Sequence, residues 1–76
     1  MVSAVVLVNT DLAQQSQVLE KIRQVKGVEE AHMLWGVYNL LVKITANSID
    51  RLKEIIKHNL KQLTGVAMTL TLMIIE

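Results

Sequence analysis

Apolar positions switch between two periods along the chain, and the switches mark out six elements. Val2 to Val8 is a Val-rich run closed by the polar Asn9-Thr10-Asp11, the pattern of a strand that stops where a helix cap begins. Val18, Leu19, Ile22 and Val25 then recur at helical spacing. Gln14, Gln17, Glu20, Lys21 and Gln24 take the opposite face, and Gly27 stops the helix. Val28 to Trp35 and Val37 to Thr45 alternate as two strands of a hairpin about Gly36, the second placing Tyr38, Leu40, Val42 and Ile44 against Asn39, Lys43 and Thr45. Asn47 is the expected N-cap of a second helix, with Asp50 near its N-terminus, a buried stripe of Ile49, Leu52, Ile56, Leu60 and Leu63, and Gly65 as its stop. Val66 to Ile75 is the last strand. Val66, Met68, Leu70, Leu72 and Ile74 share one of its faces, and Ala67, Thr69, Thr71, Met73 and Ile75 the other.

The same grammar occurs twice. Asn9-Thr10 returns as Asn47-Ser48, Ile22 as Leu60, and Val25-Lys26-Gly27-Val28 as Leu63-Thr64-Gly65-Val66, so two βαβ-like halves meet at Gly36. Right-handed crossovers put both helices on one side of the sheet. The other side, expected to carry Val5, Leu7, Met33, Leu41 and Met73, is then left bare, and a bare apolar sheet face is an interface. The expected class is α+β, a ferredoxin-like βαββαβ unit with a four-stranded antiparallel sheet, filling residues 1–76 as a single domain.

Composition sharpens that expectation. A 76-residue chain buries only about 60% of its unfolded surface and is marginal alone. Here 51% of residues are hydrophobic and none is Cys, so stability has to come from aliphatic packing beyond one small core, which points to self-association. Eight Lys/Arg against seven Asp/Glu give +1, and the basic residues are scattered. Lys53, Lys57 and Lys61 do fall at i, i+4 spacing, but Asp50 and Glu54 lie beside them, which reads as a solvated helix face; direct nucleic-acid binding is disfavoured. Neither a signal peptide nor an apolar run of about 20 residues is present, so the expected setting is cytoplasmic and off the membrane.

Chemistry-bearing residues are few. His32 and His58 lack metal-ligand spacing, and no metal or cofactor is expected. Ser3, Ser16 and Ser48 have no nucleophile context, and Glu29 and Glu30, adjacent on a strand, point to opposite faces instead of forming a carboxylate pair. Gly27, Gly36 and Gly65 stand singly at element ends and do not make a phosphate loop. One segment offers more than a hairpin needs: Trp35-Gly36-Val37-Tyr38-Asn39 joins both aromatic rings to a flexible backbone, a hydroxyl and an amide, a set suited to the carboxylate and amine of an amino acid. The same residues also suit a plain hairpin with aromatics in an interface. Thr69 and Thr71 share a strand face, where they either reach a ligand between subunits or satisfy cross-strand contacts.

The order Gly27-Val28, then Gly36-Val37-Tyr38-Asn39, a helix, and Gly65-Val66 followed by Thr69-x-Thr71 resembles, over the whole chain, the effector domain of the Lrp/AsnC transcription regulators, called the RAM domain. The resemblance implies sheets paired face to face in a dimer, and dimers assembled into a ring such as an octamer or decamer. It implies an amino acid held between dimers by residues matching Gly36, Val37, Tyr38, Asn39, Thr69 and Thr71. Asn39 departs from the family, which often has Asp there, and the expected form is a stand-alone one without the N-terminal helix-turn-helix that the family normally carries. The implied role is an amino-acid effector-binding and oligomerisation module that also engages full-length Lrp/AsnC-type regulators. Two other readings remain open: an enzyme of the dimeric α+β barrel type, for which His32 and Tyr38 supply no complementary acid and base, and a ligand-free structural oligomer.

Overall fold

The computed structural model describes residues 1–75. Strand β1 (Val2–Thr10) leads through a 3-10 turn (Leu12–Gln14) into helix α1 (Gln15–Arg23), then strands β2 (Val28–Met33) and β3 (Leu40–Ala46). Helix α2 (Ile49–Ile55) runs on into a π-helical turn (Ile56–Leu60), and strand β4 (Val66–Ile74) completes the sheet. All three pairings are antiparallel, in the spatial order β2-β3-β1-β4, which is the ferredoxin-like βαββαβ arrangement.

Alternation in β1 and β3 decides where the core sits. Ala4, Val6, Val8 and Thr10 of β1 and Leu40, Val42, Ile44 and Ala46 of β3 are buried, and they meet Val18, Leu19 and Ile22 of α1 and Leu52, Ile55, Ile56 and Leu60 beyond β3. Each fully buried Val, Leu or Ile contributes about 1.5–3 kcal/mol relative to exposure, so this one layer dominates the stability. Helix α1 packs on β2 and β3 and α2 on β3 and β1, leaving the edge strand β4 with little helix cover.

Several expectations change in detail, each for a local reason. The hairpin is not a tight turn at Gly36, since β2 ends at Met33, β3 begins at Leu40, and residues 34–39 form a loop. The N-cap of α2 is Ser48, whose Oγ accepts from the Arg51 amide at 3.1 Å, and not Asn47. Ile49 is half-exposed and Ile55 takes its place in the core. The helix closes in a π turn over Ile56–Leu60, and Leu60 is buried where the stripe expects it.

Register corrects the bare face. Ala4 opposes Met73 and Leu40 opposes Met33, so Met33 and Met73 lie on the helix side of the sheet, whereas Val5, Leu7 and Leu41 do face away from the helices. A bulge between Val28 and Glu30 sets two β2 residues against one step of β3. Glu30 therefore opposes Lys43, and Glu29 accepts a hydrogen bond from the Thr45 hydroxyl on that same face. The two glutamates share the open face instead of pointing apart.

The internal repeat survives in the backbone. Gly27 and Gly65 adopt φ of +102° and +99°, and each is followed by the same bond, Val28 N–H to Val25 and Val66 N–H to Leu63, both 3.2 Å. A Cβ at Gly65 would run into Gln14 and come within 3.0 Å of Val18 Cγ2, so the position is closed to side chains.

Candidate functional site

The loop 34–39 owes its shape to Asn39. Its side chain is buried and its amide is bound twice over to Thr10: Oδ1 accepts from the Thr10 amide at 2.9 Å and the Thr10 hydroxyl at 3.1 Å, and Nδ2 donates to the Thr10 carbonyl at 3.0 Å. The Asn39 backbone adds to the clamp, its N–H donating to the Val8 carbonyl and its carbonyl accepting from Leu34 N–H, both at 2.9 Å, and from the Gln15 carboxamide at 2.8 Å. The Asn9 carboxamide also donates to the Val37 carbonyl. Asn39 thus spends its side-chain polar groups holding the loop on the end of β1, which gives it a scaffolding position in this protomer.

What the clamp presents is a rim. Trp35 is fully exposed, Val37 is 71% exposed, Gly36 is exposed at φ +155°, and Tyr38 is half-buried. Beneath them a hollow of about 250 Å³ is lined by Leu12, Gln15, Leu34, Trp35, Gly36 and Asn39. Gln15 and Leu12 were not expected in such a site, because they precede the apolar stripe of α1 and carry no periodic signal of their own.

Thr69 and Thr71 lie elsewhere. They oppose Val8 and Val6 on the helix side of β4, and β1 separates them from β3, where Val8 in turn opposes Leu40. With strands about 4.8 Å apart, two strand spacings of roughly 10 Å stand between Thr69 and the start of β3. One protomer therefore does not bring Gly36, Val37 and Tyr38 together with Thr69 and Thr71. Thr71 opens instead into a groove of about 570 Å³ between α2 and β4, lined by Lys53, Ile56, Lys57, Lys61, Thr71 and Met73. The lysine row that looks solvated in sequence borders this groove because β4 has no helix on top of it.

The third feature is the open face of the sheet. Val5 and Leu7 of β1, Leu41 of β3, and Met68, Leu70, Leu72 and Ile74 of β4 form its apolar part, and the β4 members are each 40–50% exposed. Its β2 side is polar, with Glu29, Glu30, His32 and Lys43, and His32 Nε2 lies 2.9 Å from Glu30 Oε1. Among the described residues no group of three or more His, Asp or Glu side chains is placed to hold a metal ion, and no helix is long and apolar enough to cross a membrane.

Known proteins share this arrangement. An HTH-type transcriptional regulator of Pyrococcus abyssi, itself uncharacterised, is 34% identical over 58 residues, which is 76% of this chain and 39% of that protein. The chain thus spans about two-fifths of the length of such curated relatives. The crystal structure of FFRP-DM1 superposes with a TM-score of 0.94 at 29% identity, covering 99% of this chain and 100% of that one. The transcriptional regulator NMB0573 of Neisseria meningitidis, solved as a complex with L-Met, superposes at 0.83 with 14% identity, covering 99% of this chain and half of that one, a likeness of fold alone. Residues 3–76 match the Lrp/AsnC ligand binding domain, and with the βαββαβ sheet and the Gly36 and Thr69-x-Thr71 segments in place, the chain belongs to that family.

Proposed function

We propose that this chain is an amino-acid effector-binding and oligomerisation module of transcription regulation, with the ligand held between dimers. The observation that carries the reading is the division of the site. Asn39 fixes a loop whose tip, Trp35, Gly36 and Val37, faces solvent, while Thr69 and Thr71 lie on the far side of β1, Thr71 lining the groove beside α2. Two copies are needed to join the halves, so occupancy and assembly are coupled, and a ligand that touches both favours the assembly that aligns them.

In this reading Gly36 offers backbone N–H groups and Tyr38 a hydroxyl to the amino acid's carboxylate and amine, with Val37 and the scaffold Asn39 shaping the rim. Thr69 and Thr71 come from a neighbouring copy. The apolar strip Val5, Leu7, Leu41, Leu70 and Leu72 supports a face-to-face dimer, because leaving it in water forfeits about 25 cal/mol per Å². Dimers then associate into a ring of the octamer or decamer kind. The L-Met complex of the Neisseria regulator supports an amino acid as ligand, and the regulator relatives support full-length Lrp/AsnC-type proteins as partners through the same sheet face. The family also supports a binding module over a dimeric α+β barrel enzyme.

The test is light scattering on a sizing column, without ligand and with each common amino acid, alongside thermal shifts of the same samples. The expected result is a mass above the dimer that changes, or a melting temperature that rises, with one or a few amino acids. A fixed assembly indifferent to all of them would leave a ligand-free oligomer, and a monomer would remove the interface as well.

A further inference from the structure

We infer that the effector carries a negative charge on its side chain, so that the ligand class is an acidic amino acid. This rests on the reading above, in which Thr71 lines the effector site, and goes on to the chemistry of the groove that Thr71 faces. Its α2 side is a row of three ammonium groups, Lys53, Lys57 and Lys61, over an aliphatic floor of Ile56 and Met73. Among the described residues none of the three takes part in a salt bridge.

Neighbouring elements do not neutralise the row. Strand β4 has no charged residue from Val66 to Ile74, so the wall facing the lysines offers only Thr71 and apolar groups. On α2, Glu54 is taken by Arg51 at 3.1 Å, and Asp50, one turn before Lys53, makes no salt bridge among the described residues. Helix α1, with Glu20, packs over β2 and β3 on the other half of the sheet. Three like charges along one groove repel one another, and a carboxylate placed among them relieves that repulsion while its methylene stem rests on Ile56 and Met73. A basic ligand side chain would add to the repulsion, and a neutral one would leave it unrelieved. The groove's volume, at about 570 Å³, exceeds what one amino acid fills.

Isothermal titration at low ionic strength with L-glutamate, L-aspartate, L-glutamine, L-methionine and L-lysine tests this, on the wild-type chain and on Lys57→Gln. The position is exposed, and the substitution removes the charge while keeping an amphipathic stem. The inference expects the acidic amino acids to bind tightest, to weaken as salt screens the groove, and to lose about ten-fold in affinity with Lys57→Gln, while any glutamine binding changes less than about two-fold. Binding of methionine, glutamine or lysine in preference to the acidic pair would overturn the inference and leave the effector-module reading standing. Acidic ligands that bind equally well to wild type, Lys57→Gln and Lys61→Gln would also overturn it, by placing their carboxylate elsewhere. Silence from all five, at concentrations where other amino acids are silent too, would remove both.

Discussion

Replacing Asn39 by Ala removes the clamp between the loop 34–39 and the end of β1. Three hydrogen bonds to Thr10 vanish together, at 2.9, 3.1 and 3.0 Å, and Thr10 is a buried residue. A hydroxyl can turn to another partner, whereas the Thr10 N–H and carbonyl are fixed by the backbone. Each buried group left unpaired costs about 1–3 kcal/mol, so the two together imply a loss of roughly 2–6 kcal/mol. That is a large share of the 5–15 kcal/mol by which a small domain is stable. Denaturant unfolding followed by far-ultraviolet circular dichroism is the assay; Trp35 fluorescence is a poor probe because the ring is already in water in the folded state. Protomer concentration has to be held equal, since association adds to apparent stability. Asn39→Asp refines the test. It keeps both acceptor bonds but sets a carboxylate oxygen against the Thr10 carbonyl in place of the Nδ2 donor. Protonation restores a donor, so the folded state holds that proton more tightly than the unfolded state and the variant's deficit grows as pH rises through the folded-state pKa and shrinks below it. A loss under about 0.5 kcal/mol for Asn39→Ala, the range of an ordinary surface change, would refute the reasoning.

Other substitutions probe the remaining elements. Ser48→Ala is expected to lose about 1 kcal/mol by denaturant titration and Asn47→Ala less than about 0.5, the reverse order restoring Asn47 as the cap. Gly65→Ala combines a φ of +99° with a close approach to Val18 and Gln14, and should lower stability by at least about 1–2 kcal/mol in a thermal scan; an unchanged melting point would mean that the turn is not tight. Leu40→Ala, in the centre of the core, should lose about 2–5 kcal/mol. Leu72→Lys, half-exposed on the open face, should leave the protomer folded while light scattering shows its mass falling to a monomer, and a mass that stays dimeric would place the interface elsewhere.

Period and punctuation were enough, without coordinates, to define the six elements, the two-fold repeat and the βαββαβ class, because a half-buried strand and an amphipathic helix each write their burial into local spacing. The Val-rich β1, the Val18-Leu19-Ile22 stripe and the glycines at 27 and 65 are all of this kind. What local spacing does not encode is register. One extra residue in β2 turned Glu29 onto the same face as Glu30, and pairing with Ala4 and Leu40 put Met73 and Met33 on the helix side of the sheet. The site shows the same division. Gly36, Tyr38 and Thr69-x-Thr71 stand out as residue types, but the tertiary fold decided that Asn39 is a buried clamp, that β1 separates the loop 34–39 from Thr69 and Thr71, and that the lysine row borders a groove. Hydrogen bonds between residues 29 positions apart and the cover that a helix does or does not give an edge strand depend on the whole chain's packing, and no window of sequence contains them.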